Sequence, residues 1–232
     1  PVTLEVGVLR STVEASIYLA VVRGYFKDEG LNIDLKPFTT SLDMIPALAS
    51  GQLDVGNGGP NAALFNAISQ GIPVKIVADQ AINRPGDQSA SWMVRTAIAD
   101  QIKTPKDLKG RVIGLGSTAS TIDVELDKML ADGGLTRNDV QIKNVSYGDQ
   151  IAAFANGSVD MTYSFEPAVT NLKAQNLATV WKTSGDVVAN HEATIVLYGA
   201  NMSGAKAQAG KRFMVGYIRG IRDSWRELGN PS

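Results

Sequence analysis

The chain has no cysteine and a single histidine, His191, among its 232 residues. The first absence removes thiol nucleophiles, iron–sulfur clusters and thiolate zinc sites. The second leaves no multi-histidine metal centre and allows a Ser-His-Asp arrangement only through His191. Neither sign of charge dominates: 22 Lys and Arg stand against 23 Asp and Glu, a net charge of −1. That balance supplies no basic surface for nucleic acid. Long apolar runs are missing as well. The longest, Ile17 to Val22, has six residues, far short of the roughly 20 that a membrane-spanning helix needs. A chain without cysteine suits an oxidising compartment. Pro1 leads straight into a strand-like stretch, the start expected of a mature exported chain without its signal peptide.

What is present is enough apolar material for a packed core, 44% of residues, together with 23 glycines. Val2, Leu4, Val6 and Val8 alternate with Thr3, Glu5 and Gly7, the period of a strand. From Val13 to Phe26 the apolar residues fall at helical spacing, and Gly30 follows as a stop. Further strands are expected at Ile33–Leu35, Leu53–Val55 and Val74–Ala78, with helices between them. This alternation predicts a parallel α/β sheet.

An internal repeat then divides the chain. Residues 43–54 read DMIPALASGQLD and residues 149–160 read DQIAAFANGSVD, with six of twelve positions identical at an offset of 106. The same offset carries Ser11-Thr12 onto Ser117-Thr118, and in both halves the pair stands where a strand gives way to a helix. The expectation is two similar α/β lobes joined by two crossing strands, with residues 1–88 and 192–232 in the first and 89–191 in the second.

In parallel α/β sheets, ligands sit beyond the carboxyl ends of the strands, where helix starts offer free N–H groups and the positive end of a dipole. Ser11 and Thr12 from one lobe, and Ser117, Thr118, Ser120 and Thr121 from the other, combine hydroxyls with amides in a way that suits a carboxylate, sulfonate or nitrate. Each is equally an ordinary helix cap. Arg10 follows the first strand, as a partner for an anionic ligand or as a solvated or structural ion pair. Trp92 is expected on a crossing strand, lining the cleft or buried. Glu166 precedes Pro167 at a helix start, as a cap or as an acceptor for a ligand amine. His191 stands before the other crossing strand. Gly114-Leu115-Gly116-Ser117-Thr118-Ala119 matches the spacing of a dinucleotide-binding turn, yet the next strand ends in Asn144-Val145-Ser146, with no acidic residue to hold a ribose.

Arg23-Gly24-Tyr25-Phe26 with Glu29-Gly30-Leu31, Ser50-Gly51-Gln52-Leu53-Asp54-Val55-Gly56, Gly71-Ile72-Pro73-Val74 and the stretch Ile102 to Gly110 (IKTPKDLKG) together resemble the signatures of nitrate/sulfonate/taurine-type substrate-binding proteins of ATP-binding-cassette importers. Gly157-Ser158-Val159-Asp160 and Glu166-Pro167 fit the same pattern. The resemblance implies a two-lobed periplasmic-binding-protein fold of type II plan that closes on a small solute by a hinge motion. It also implies a membrane permease as partner, a monomer, a periplasmic or other extracytoplasmic location, and no cofactor or metal. By position, it places ligand contacts at Ser11-Thr12, at the turn from Gly58 through Gly59 to Asn61, and at Ser117–Thr121. Members of the family continue beyond the helix at which this chain stops. An enzyme on the same fold, resembling the pyrimidine-precursor synthases of thiamin biosynthesis, is the alternative. Those carry a cysteine-rich motif and active-site histidines, against no Cys and one His here.

Overall fold

The computed structural model describes residues 1–9, 12–116 and 119–227. The chain divides into two compact units, one made of Pro1–Ala81 with the segment from Ala193 onward, the other of Ile82–Glu192.

Unit 1 opens with β1 (Val2–Val8), α1 (Ala15–Val22), α2 (Tyr25–Asp28), β2 (Leu31–Pro37), α3 (Met44–Ser50), β3 (Val55–Gly58), α4 (Ala62–Ser69) and β4 (Lys75–Asn83). Unit 2 follows with β5 (Ala90–Arg95), β6 (Val112–Leu115), α5 (Thr121–Asp132), β7 (Gln141–Asn144), α6 (Gln150–Ala155), β8 (Met161–Phe165), α7 (Ala168–Ala174), β9 (Ala178–Thr183) and α8 (Ser184–Val187). The chain then returns to unit 1 through β10 (His191–Tyr198) and α9 (Ala207–Glu227).

Among the described residues each unit holds a five-stranded sheet, ordered β2-β1-β3-β10-β4 in one and β7-β6-β8-β5-β9 in the other. The first three strands of each are parallel, as the alternation predicts. The fourth is antiparallel: β10 pairs with β3, and β5 with β8. Side chains alternate between two apolar layers, because successive residues of a strand point to opposite faces. Val196 packs under α1, α2 and α9 with Leu4, Phe26 and Phe213, while Ile195 and Leu197 pack under α3 and α4 with Met44 and Leu64. In unit 2, Trp92 and Val94 join the α5 side, and Met93 joins the α6–α7 side.

The expected helix from Val13 to Phe26 is two elements. Gly24, at φ +75°, adopts the left-handed turn that glycine enters without a Cβ penalty. The break lets α2 swing so that Phe26 stacks on Phe213 at 4.9 Å. Gly220 brings α9 against α1, since a Cβ there would lie 2.1 Å from the Ser16 carbonyl oxygen.

The repeated segment is a structural clasp. In each copy a glycine ends the helix, Gly51 at φ +77° and Gly157 at φ +70°, and an aspartate three residues on grips the central strand. Asp54 Oδ2 accepts the Glu5 N–H at 2.9 Å, and Asp160 Oδ2 accepts the Val112 N–H at 3.0 Å. A cation completes each: Lys206 Nζ at 2.7 Å from Asp54, Arg95 Nη2 at 2.8 Å from Asp160. Val6 pairs with Val55 and Ile113 with Met161, so the central strands correspond at an offset of 107 while the later strands keep 106. The Ser-Thr coincidence at 106 is therefore one residue out of step with the strands that precede it.

Candidate functional site

The carboxyl end of β1 runs through Leu9 into a turn of 3-10 helix, Thr12–Glu14. Arg10 and Ser11 lie outside the described residues, and Thr12 is exposed at the start of the turn. The turn is closed by Glu14, whose side chain is fully buried and accepts the Leu9 N–H at 2.5 Å. Beside it, β3 ends in Gly58 and Gly59. Gly58 lies against Ser41, and a Cβ on Gly59 would stand 3.2 Å from the Ala193 carbonyl oxygen. Asn61 caps α4: its Oδ1 accepts the Leu64 N–H at 2.9 Å, and its Nδ2 donates to the Gly59 carbonyl at 3.0 Å. Its local role is to hold the turn. Near these strand ends, Asn57 Oδ1, Thr194 Oγ1 and the side-chain amide of Gln80 are buried without a hydrogen-bond partner among the described residues.

In unit 2 the corresponding end is formed by Gly116, the start of α5, the loop after β7 and the end of β8. Ser117 and Thr118 lie outside the described residues. The glycine spacing that resembles a dinucleotide turn has a packing cause. A Cβ on Gly114 would stand 3.0 Å from Thr162 Cγ2, and one on Gly116 would stand 2.9 Å from the Tyr147 ring. Ser120 is the N-cap of α5, with its N–H donated to Asp123 Oδ2 at 3.1 Å and its buried hydroxyl turned to the Asp123 N–H in a capping box, short of a full hydrogen bond. Thr121 is the first residue of that helix. Glu166 accepts the Thr170 N–H at 3.1 Å and the Thr170 hydroxyl at 2.9 Å, which makes it a cap on α7.

Two candidates belong to the interior. Trp92 is not on a crossing strand. It sits on β5 between β8 and β9, has no exposed surface, and donates its indole N–H to Glu125 Oε2 at 2.8 Å. The cause is the strand's position inside the sheet, which directs alternate side chains of β5 into the core. His191 opens β10, with Nδ1 2.6 Å from the Val188 carbonyl oxygen and Nε2 2.9 Å from Glu125 Oε1. Ser184 Oγ donates to that same glutamate oxygen at 2.5 Å. The carboxylate, and not the imidazole, is the hub of this Ser-Glu-His group, so the histidine is not set as a general base toward the serine. Burial raises the Glu125 carboxyl above its ordinary range, opposed by the bonds from Ser184 and Trp92 and by His191.

Tyr147, which the sequence did not single out, also reaches the strand ends, next to Phe165 of β8. Tyr147 and Phe165 meet edge-to-face at 5.3 Å and continue a row of rings through Tyr163 to Trp92. Burial drives the Tyr147 and Tyr163 hydroxyls far above the usual phenol range. Tyr147 sits at the same place in its unit as Ser41 in the other, in the loop ahead of the repeated helix. The repeat was the signal that marks both.

The two strand-end groups offer hydroxyls, amides and helix starts. No cluster of three His, Asp or Glu side chains is placed to hold a metal among the described residues. The NMT1/THI5-like family model matches residues 11–226. Over 149 residues the chain is 30% identical to the taurine-binding periplasmic protein of Escherichia coli K12, a stretch covering 64% of this chain and 44% of that protein. The match thus spans less than half of the relative's length. Among solved structures, the fold matches the alkanesulfonate-binding protein SsuA of Xanthomonas axonopodis pv. citri with a TM-score of 0.77 at 22% identity, over 95% of this chain and 73% of that one. It matches the periplasmic nitrate-binding protein NrtA of Synechocystis PCC 6803 with a TM-score of 0.80 at 14% identity, over 95% and 61%. These relatives are binding proteins by name, not enzymes. With the family model matched from residue 11 to residue 226 and the architecture shared with solved periplasmic binding proteins, the chain belongs to the NMT1/THI5-like family.

Proposed function

We propose that this protein is an extracytoplasmic receptor for a small anionic organic solute, of sulfonate, carboxylate or nitrate-like chemistry, which it binds without altering. The solute is held at the carboxyl ends of the parallel strands, hinge closure retains it, and a membrane permease of an ATP-binding-cassette importer receives it. No helix of the described residues is long and apolar enough to cross a membrane. One observation carries the reading. Ser120, at the start of the twelve-residue helix α5, turns its buried hydroxyl to the Asp123 N–H in a capping box, short of a full hydrogen bond, beside the start of the helix dipole. A buried polar group without a full hydrogen bond is costly unless something binds it. Thr121 adds a hydroxyl at the same helix start, and Thr12 opens the 3-10 turn after β1 in unit 1. Each charge-assisted hydrogen bond contributes about 1.5–3 kcal/mol, and a handful offsets the cost of association to reach micromolar affinity, near −8 kcal/mol.

The test is a thermal-shift screen with taurine, alkanesulfonates, nitrate, small carboxylates and aromatic acids, followed by calorimetry on the best compound. Replacing Ser117, Thr118 and Ser120 together by alanine is expected to weaken that compound about tenfold or more. Mass spectrometry should recover it unchanged. A compound consumed by the protein, or an affinity indifferent to the three substitutions, would sink the proposal.

A further inference from the structure

Both passages of the chain between the units end in one buried side-chain cluster. β4, the edge strand of unit 1's sheet, delivers Asn83 into unit 2, and β10 starts there with His191 before it becomes an inner strand of unit 1's sheet. Asn83 Nδ2 donates to Ser184 Oγ at 2.6 Å and lies 3.2 Å from His191 Nε2 and 3.4 Å from Tyr163 Oη. Tyr163 donates to Ser184 Oγ at 3.1 Å, and Ser184 donates onward to Glu125 at 2.5 Å. Trp92 and His191 meet the same carboxyl group, whose side chain is 1% exposed. Groups from β5, α8 and β10 therefore meet one side chain of α5, and those from β4 and β8 reach it through Ser184.

The proton count on the imidazole is constrained. A carbonyl oxygen only accepts, so the 2.6 Å contact with Val188 requires a hydrogen on Nδ1. The contact of Nε2 with Glu125 Oε1 then needs one further proton, held by either atom. Without it, two lone pairs face each other at 2.9 Å. Asn83 has a second N–H within reach of the bare nitrogen.

We propose that Glu125 and His191 form a proton-controlled latch on both crossing segments. The shared proton ties the first residue of β10 to α5; its loss passes His191 to Asn83 and loosens the two crossings together. Glu125 and His191 are in this sense positioning residues. The surrounding titratable groups do not compete for the proton. Tyr163 from β8 is a phenol kept neutral by burial. Asp186 on α8 turns to the Gly86 and Thr183 N–H groups. Lys182 on β9 lies over the Trp181 ring. On α5 itself, Asp123 and Asp127 are held by Arg137. Glu192 follows His191 on β10 with one carboxylate oxygen buried, and Arg84, beside Asn83, is exposed. The latch lies within unit 2 and needs no ligand, so it stands or falls separately from solute binding.

The single histidine makes the test direct. The full chain, nitrogen-15 labelled and without ligand, is titrated from acid to mildly alkaline pH by NMR. The His191 ring, the Trp92 indole N–H and the Asn83 side-chain amide should move with one shared midpoint, with Nδ1 keeping its hydrogen throughout. Above that midpoint, exchange protection of the Asn83 and His191 backbone amides, corrected for intrinsic rate, should fall about tenfold. Glu125→Gln keeps the shape but not the ionisable proton, and in it the Trp92 indole should cease to follow pH. Separate midpoints in the wild type, or a Trp92 response unchanged in Glu125→Gln, would overturn the latch. The wild-type titration decides the matter even where the variant fails to fold.

Discussion

Glu125 sits on the buried face of α5 with Ile122, Leu126 and Met129, at the helical spacing that marks a core position. A carboxyl there is stable only with donors around it, and Trp92, Ser184 and His191 supply them. Because burial holds this group above its ordinary value, its neutral form is favoured in the fold. Its contribution to stability is full below the unfolded value near 4.5 and is lost as pH rises through the folded one. Denaturant melts across that window should show the decline, and Glu125→Gln should flatten it. Trp92→Phe removes one donor from the same carboxyl and is expected to cost about 1–3 kcal/mol, read from the urea midpoint at unchanged slope. Asn61→Ala, a lost N-cap, should cost about 1 kcal/mol in the same assay. Glu125 was not singled out in the sequence, although its place on the core-facing side of α5 follows the helical spacing of Ile122, Leu126 and Met129. Nor was Glu14, because nothing in the residues around Ser11 and Thr12 shows that the turn folds back on its own carboxylate.

At the scale of elements, the repeated aspartates separate what is fold from what is site. Asp54 and Asp160 each bind a central-strand amide and a cation, so their recurrence records a construction rule and not a ligand. Asp54 is the more deeply buried side chain, 1% exposed against 13%. Asp54→Asn should cost about 3 kcal/mol and Asp160→Asn less, since removing one member of a buried pair strands the other. Equal costs, measured by chemical denaturation, would contradict the ranking by burial. Gly220→Ala should force α9 away from α1 and cost about 2 kcal/mol. The parallel strands and their helices were readable from alternation and from the repeat. The return of the last stretch to the first unit was readable, but not the antiparallel slots of β5 and β10, because their neighbours β8 and β3 are fixed by pairing between distant segments and not by local periodicity. That is also why the residues alone left Trp92 between a cleft and a core, and its place in the sheet puts it in the core.

For the whole molecule, the alternation of strands and helices together with the repeat gave the class and the two-unit plan, and the motifs gave the family. The anionic reading is carried by Ser120 at the start of α5, and a binding screen reads the rest of the solute. Tyr147 and Phe165 give that screen a direction: Phe165→Ala should leave the smallest anions bound and weaken the larger apolar ones about tenfold, as deletion of a ring contact does.

The placement of β10 has a temporal consequence. Unit 2 is one uninterrupted stretch, Ile82–Glu192, whereas unit 1's sheet has β10, translated after all of unit 2, inserted between β3 and β4. The second half of the design can therefore complete its sheet first, while the opening third, with β4 lacking its neighbour, waits for the returning strand. A chain ended at Glu192 should protect its middle from protease and leave its beginning open to cleavage.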